Sequence, residues 1–345
     1  MIMDGRAHRL HRLAGPSFRE LRGRSHASLL CWRCRQCSRR RSAWRTVSAT
    51  RRLRGMTPRG LFFGMLVARG SGARLIAHLH ERPVPSQDLR WGLLRWLGNR
   101  ADAVIAVSEF IRDRVVAGGV QAGKVSAVLN TVDVRRFHPG VDGSGIRRDY
   151  GIPPDDVLVV CLGRFLTGKG QLFLARAMRH VAASAPQARA LMIGWDDRRY
   201  TVGNRSYREQ VAAYVAEQGL GGVVMLGEPR PEAPEIMAAA DIVAQPAIGD
   251  PCPLTVLEAM ASGKPIVAFR SGGIPEEVGS DGRALLVEPG DEMALAEAIG
   301  WLARHPESRR AMGRANRERA VRQFYPERLA EEVSAVYERL LNAPA

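Results

Sequence analysis

From residue 157 onward the chain alternates short apolar runs with stretches in which apolar residues return every three or four positions. The runs at 157–163, 189–194, 223–227, 242–246, 265–269 and 284–288 are short and nearly uninterrupted, the pattern of strands buried on both faces. Between the first two, Leu174, Ala177, Met178 and Val181 fall at i, i+3, i+4 and i+7, which places them on one stripe of a helix. Met237 and Met260 read as core filler. Further helices are predicted at 291–304, 306–323 and 326–341. Strands alternating with helices make a parallel sheet with crossover helices, so this half is predicted to be a doubly wound α/β domain of nucleotide-binding type.

The same alternation runs more weakly upstream. Strands are predicted at 75–80, 103–108 and 125–130, and helices at 87–99 and 109–117. Trp91 and Trp96 on the first of these helices read as core or interface. Residues 131–156, rich in Gly, Asp and Pro, break the pattern and supply a linker. No repeat of 20–50 residues is present.

Composition changes this picture mainly at the N-terminus. A length of 345 residues fits two domains of ~150 each. Residues 1–80 hold 18 of the 51 basic residues against Asp4 and Glu20 alone, so the formal charge of +16 lies entirely in that segment. The rest of the chain is neutral, which argues against a specific nucleic-acid partner. Residues 1–60 read as an arginine-rich arm, disordered because like-charge blocks stay solvated. No stretch approaches the ~20 apolar residues that span a bilayer, and no apolar core follows the first charges as in a secretory leader. Cys31, Cys34 and Cys37 are spaced as for a metal site but lack a fourth ligand, so reduced thiols and no metal are expected.

Ligands of open parallel sheets bind beyond the carboxyl ends of the strands. After the strand at 157–163 comes Gly163-Arg164-Phe165-Leu166-Thr167-Gly168-Lys169-Gly170. Glycines allow close approach, while Arg164 and Lys169 bring a planar fork and a compact ammonium to one loop, a pair suited to a diphosphate. The spacing is not that of a P-loop. After the strand at 242–246 comes Asp250-Pro251-Cys252-Pro253-Leu254-Thr255-Val256-Leu257-Glu258. Pro253 suits the first turn of a helix, and the unspent N–H groups of Leu254, Thr255 and Val256 would then face an anion. Glu258, one turn further in, can accept two hydrogen bonds from a sugar diol. Asp196-Asp197, beside Arg198-Arg199, reads as a solvated ion-pair cluster rather than a metal site.

Taken together, Gly163-Arg164…Lys169-Gly170, Asp250-x7-Glu258-Ala259-Met260-Ala261, Gly272-Gly273-Ile274-Pro275-Glu276, Ala106-Val107-Ser108 and Asn130-Thr131-Val132-Asp133…Phe137 resemble the retaining glycosyltransferases of family 4, which have the GT-B fold. The resemblance spans roughly 75–340. It implies two Rossmann-like parallel-sheet domains facing a cleft. They would be an N-terminal acceptor-side domain over 61–140, incomplete here, a linker over 141–156, and a C-terminal domain over 157–325 that holds the nucleotide-sugar donor. A last helix, 326–345, would pack back on the N-terminal domain.

The resemblance also implies roles. Arg164 and Lys169, with Gly163, would grip the donor diphosphate and stabilise it as leaving group, with no metal and no cofactor. Asp250 stands where the family has a glutamate near the sugar hydroxyls and is one methylene shorter. Glu258 would hold the ribose, and Cys252, Pro253, Leu254 and Thr255 would line the donor site. Glu228, Pro229 and Arg230 fall where the base is read, and His80 near the donor sugar. His78 is read as packing on the opposite side. The implied reaction moves a sugar from a UDP- or GDP-linked donor to a glycan or lipid-linked acceptor with retention, in polysaccharide assembly. The expected setting is cytoplasmic, with peripheral contact at the inner membrane face. The alternatives are an impaired remnant that binds a nucleotide sugar, and a nucleotide-sugar epimerase.

Overall fold

The computed structural model describes residues 64, 65, 68, 74–81, 89–198, 201, 202, 204–280 and 283–342. The arginine-rich segment 1–60, with Cys31, Cys34 and Cys37, lies outside these residues.

Two parallel sheets organise what is described. In the N-terminal one, β1 (Ile76–Leu79), β2 (Ala103–Ala106) and β3 (Val125–Ala127) pair in sequence order. Helix α1 (Leu89–Arg100) joins β1 to β2, and α2 (Glu109–Ala117) joins β2 to β3. Strand alternation splits the side chains between two faces. Ala77, Leu79, Val104 and Ala106 pack with Leu97 of α1 and with Ile111 and Val115 of α2. Ile76, Ala103 and Ile105 face the other way, onto Val336 of the last helix.

The C-terminal sheet has six strands in the order β11-β10-β9-β4-β5-β8. They are β4 (Val157–Leu162), β5 (Ala188–Ile193), β8 (Val224–Gly227), β9 (Ile242–Gln245), β10 (Ile266–Phe269) and β11 (Ala284–Val287), with a two-stranded ribbon of β6 (Thr201–Val202) and β7 (Arg205–Ser206) set apart. Every pairing within the six is parallel. On one face Val157, Val159 and Cys161 pack with α4 (Gln171–Ser184), α5 (Tyr207–Glu217) and α9 (Glu292–Arg304). On the other, Leu158 and Val160 pack with α6 (Ala233–Ala239), α7 (Leu254–Ala261) and α8 (Ile274–Val278). Leu174, Ala177, Met178 and Val181 are all fully buried, as the helical stripe requires, and so are Met237 and Met260.

One difference from the sequence reading stands out. The segment read as linker contains α3 (Ser144–Asp149), whose Ile146 is buried in the core and whose Arg147 pairs with Asp241 at 3.1 Å. A helix of six residues carries too little periodicity to be legible, and its tertiary contacts hold it. The last two helices, α10 (Pro306–Gln323) and α11 (Pro326–Asn342), fall within a residue of the predicted bounds. Leu329, Val333, Val336 and Tyr337 of α11 lie against the N-terminal sheet, and Arg328 holds the Leu129 and Asn130 carbonyls where the chain crosses between sheets.

Candidate functional site

The order of the C-terminal sheet locates a crevice before any side chain is considered. From β4 the chain moves outward to β5 and β8, then returns to place β9 on the other side of β4. The loops leaving β4 and β9 therefore diverge from neighbouring strands, and a ligand can enter between them. Those are the loops that carry Arg164, Lys169, Asp250 and Cys252. They touch through the Ile248 N–H, which donates to the Gly168 carbonyl at 2.9 Å. Gly170, at φ +77°, is the residue the contact demands, since a Cβ there would lie 1.8 Å from the Pro246 carbonyl oxygen.

Within the crevice the Lys169 ammonium is in direct contact with the Asp250 carboxylate, and the Asp250 side chain is only 10% exposed. Arg164, 56% exposed, lies 3.6 Å from Asp197. Asp197 is thus not part of a solvated cluster: its side chain is nearly buried and faces the guanidinium of the first loop. Asp196 pairs instead with the exposed Arg198, at 3.6 Å. No group of three or more metal-ligating side chains gathers among the described residues.

Helix α7 begins one residue later than the sequence suggested. Pro253 is its N-cap, and the Val256 N–H donates to the Pro253 carbonyl at 2.9 Å. That bond corrects the expectation of three unspent N–H groups, because Val256 closes the first turn on itself. Leu254 is exposed at this end, while the Thr255 hydroxyl donates to the Leu162 carbonyl at 3.3 Å, tying α7 to the end of β4. Glu258 is half-buried on α7; burial raises its pKa, and Arg136 opposes the shift.

Cys252 is placed differently from a ligand-lining residue. Its side chain is buried with Val107, Ile111 and Val115 of the N-terminal layer, and its thiol donates to Glu277 Oε1 at 3.2 Å. Only its backbone stays with the loop, where its carbonyl accepts from Asn130 Nδ2 at 3.1 Å. Next to it, Gly273 N–H donates to the Asp250 carbonyl at 2.9 Å. Gly272, at φ +66°, leaves room for that carbonyl, which a Cβ would approach to 2.0 Å.

The Gly272-Gly273 turn opens α8, and α8 joins the two sheets. The Glu276 carboxylate accepts the Glu109 and Phe110 N–H groups at the start of α2, both at 2.7 Å. Ser108 caps the same helix from within, accepting from the Ile111 N–H at 3.3 Å. Glu276 was legible as part of a motif, but its reach to α2 was not, since partner and carboxylate lie 167 positions apart.

Two predicted positions lie further out. His80 follows β1 directly and is exposed. Its ring centroid is 4.3 Å from that of His78, so the two share a side; residues two apart on a strand point the same way, and the reading of opposite sides is overturned. In the 228–230 loop, exposed Glu228 pairs with Arg208 at 2.7 Å, and Arg230 pairs with Asp149 at 2.7 Å and Glu232 at 3.3 Å. The two carboxylates raise the Arg230 pKa. Pro229, between Glu228 and Arg230 in the chain, is half-buried, and Gly163 opens the first loop from the end of β4.

Comparison with known proteins places the chain in a family of glycosyltransferases. A family model described as glycosyl transferases group 1 matches residues 144–319, and one described as glycosyltransferase family 4 matches residues 9–136, a span that begins inside the arginine-rich segment. A GDP-mannose-dependent alpha-(1-6)-phosphatidylinositol monomannoside mannosyltransferase of Mycolicibacterium smegmatis is 32% identical over 275 residues, covering 75% of this chain and 68% of that protein. A D-inositol 3-phosphate glycosyltransferase of Corynebacterium jeikeium is 31% identical over 69% of this chain, which spans only 57% of that relative. Among solved structures, Anabaena HepE in complex with UDP-glucose superposes with a TM-score of 0.72 at 26% identity, covering 81% of this chain and 77% of the other.

Proposed function

Because the chain belongs to the group 1, family 4 glycosyltransferases, we propose that it moves a sugar from a UDP- or GDP-linked donor to a glycan or lipid-linked acceptor, with retention and without a metal ion. The observation that carries this reading is the pair of cations, Arg164 and Lys169, on the loop beside the switch between β4 and β9.

Breaking the bond between the sugar and the nucleotide leaves negative charge on the departing diphosphate while the sugar becomes oxocarbenium-like. Fixed positive groups aimed at that charge lower the barrier, because they need no reorganisation as the charge develops. In the proposed complex Arg164 supplies a two-pronged contact to phosphate oxygens and Lys169 a point charge. The start of α7 adds the partial positive charge of a helix end. Asp250 meets the sugar hydroxyls and Glu258 the ribose diol. The loop at 228–230 meets the base, and His80 approaches the sugar from the N-terminal sheet. None of these carboxylates is assigned a covalent role; the acceptor enters on the face the diphosphate leaves.

A lipid-linked acceptor would bring the protein to a membrane surface. No helix among the described residues is long and apolar enough to cross a membrane, so that contact is proposed as peripheral.

Calorimetric titration with UDP, GDP and ADP tests the donor site. One nucleotide should bind selectively, and Arg164→Ala and Glu258→Ala should each weaken it. Transfer of radiolabelled sugar in the presence of EDTA, with the anomeric configuration of the product read by NMR, tests metal independence and retention. Binding of no nucleotide by the folded chain overturns the proposal in favour of a protein that has lost its donor site.

A further inference from the structure

Glu277 is completely buried one turn into α8, yet it has no ion-pair partner among the described residues. Its Oε1 accepts the Cys252 thiol at 3.2 Å, and its Oε2 is buried without a hydrogen-bond partner. A charged group in such a place is expensive unless paired, so burial favours the neutral carboxyl group. Burial is the main cause that lifts its pKa well above the ordinary 4.5; the thiol hydrogen bond and Lys169 oppose the rise, while Asp250 and Glu276 add to it. Arg319 contacts the Glu277 main-chain carbonyl, at 2.7 Å.

We propose that Glu277 is a positioning residue for donor-sugar binding: by holding the Cys252 side chain it fixes the Asp250-Pro251-Cys252 segment and so sets where the Asp250 carboxylate sits. The segment is pinned at three points. Cys252 is held by Glu277 through its side chain and by Asn130 through its carbonyl, and the Asp250 carbonyl is held by Gly273. Two of these anchors, Gly273 and Glu277, belong to one short stretch of chain that also carries Glu276, the residue bound to α2. A shift of α8 would therefore move Asp250 relative to Lys169. Neutrality matters here as well: a second buried anion near Asp250 would compete with it for the single ammonium of Lys169.

This inference rests on the reading of Asp250 as a sugar-binding residue, and the test separates the two. UDP and UDP-glucose, and GDP and GDP-mannose, are titrated calorimetrically into the wild type, Glu277→Leu, Glu277→Gln, Cys252→Ala and Asp250→Ala. Glu277→Leu and Cys252→Ala should leave nucleotide affinity unchanged and weaken the nucleotide sugar about fivefold to tenfold, the worth of roughly one net hydrogen bond. Glu277→Gln keeps an acceptor for the thiol and should restore the wild-type ratio. Nucleotide-sugar affinity equal to that of the wild type in folded Glu277→Leu and in Cys252→Ala overturns the proposal. Should Glu277→Leu fail to fold, Cys252→Ala decides alone. If Asp250→Ala changes neither affinity, the sugar-site reading fails and this inference falls with it.

Discussion

The carboxylate of Glu276 accepts two consecutive backbone N–H groups, those of Glu109 and Phe110, at 2.7 Å each. A side chain beneath the C-terminal sheet thus satisfies the start of a helix in the N-terminal layer. Both bonds are charge-assisted, and a negative group at a helix start is favoured by the helix dipole as well. Removing the carboxylate leaves two N–H groups at the α2 end to water. Glu276→Ala should cost about 1–3 kcal/mol of the contact between the layers, with Glu276→Gln retaining part of it. Hydrogen exchange at the Glu109 and Phe110 amides reads this directly: both should exchange about tenfold to a hundredfold faster in Glu276→Ala. Unchanged protection would mean that Ser108 and the surrounding core hold α2 unaided.

Lys169 and Asp250 make a second test, because stability and ligand binding should respond differently. Asp250 is nearly buried but Lys169 is 27% exposed, so Lys169→Ala leaves a carboxylate without its counter-charge at a loss of about 1–3 kcal/mol, below that of a fully buried pair. The double substitution Lys169→Ala with Asp250→Ala removes the orphan charge and should recover most of that stability while still failing to bind the donor. Arg164 is mostly solvated and 3.6 Å from Asp197, so Arg164→Ala should cost under about 1 kcal/mol. Its effect should fall on diphosphate affinity, by about tenfold to a hundredfold. Urea unfolding and nucleotide titration on the same four proteins separate the two effects.

The elements legible in the sequence were those with a strong period or a continuous apolar run. The six strands of the C-terminal sheet lie within a residue or two of the predicted runs, and α10 (Pro306–Gln323) begins and ends where its pattern does. Local rules carried these, since a strand buried on both faces must be apolar throughout. The arrangement of Arg164 and Lys169 on one loop was also legible, because spacing along a loop is a local property. Contacts between segments far apart were not. Nothing in the text near Asp197 reveals that Arg164 lies beside it, and Glu277 reads like any acid in the first turn of a helix until the fold buries it against Cys252. The Val256 N–H is spent in a tight bond to the carbonyl three residues back, that of the cap Pro253, and no residue type in this stretch announces such a turn.

Burial of Glu277 has a consequence for pH. Its folded-state pKa is raised above the ordinary 4.5, first by burial. Below that value both folded and unfolded chains keep the proton, and the full stability is present. As pH rises past it the unfolded chain releases the proton while the folded chain retains it, so stability falls, by up to about 1.4 kcal/mol per pH unit, until the folded pKa is reached. Glu277→Gln cannot ionise and should not show this slope. Thermal unfolding across pH 4.5 to 8 should therefore give a difference between wild type and variant that grows with pH in favour of the variant. Glu258, whose pKa is also raised, adds a slope of the same sign to both proteins and cancels in the comparison. Parallel curves would show that Glu277 ionises in place without penalty.

The two site loops leave no room for a methyl group at their closest approaches, and three glycines grade that constraint. Gly170, Gly219 and Gly272 all have positive φ, at +77°, +65° and +66°. A left-handed conformation alone costs an L-residue about 1–2 kcal/mol. At Gly219 nothing lies within 4 Å of an added Cβ, so Gly219→Ala should cost that amount and no more. At Gly170 and Gly272 the Cβ would also meet main-chain oxygens, of Pro246 at 1.8 Å and of Asp250 at 2.0 Å. A backbone carbonyl cannot swing aside as a long side chain can, so the loops themselves must separate. Gly170→Ala and Gly272→Ala should each lose clearly more stability than Gly219→Ala, on the order of 2–4 kcal/mol in urea unfolding. Gly272→Ala pushes on the carbonyl of Asp250 itself, so any protein that remains folded should bind the nucleotide sugar more weakly even where the nucleotide alone still binds. Equal losses at all three positions would mean that the crevice loops yield freely, and that the placement of Asp250 does not depend on the turn behind it.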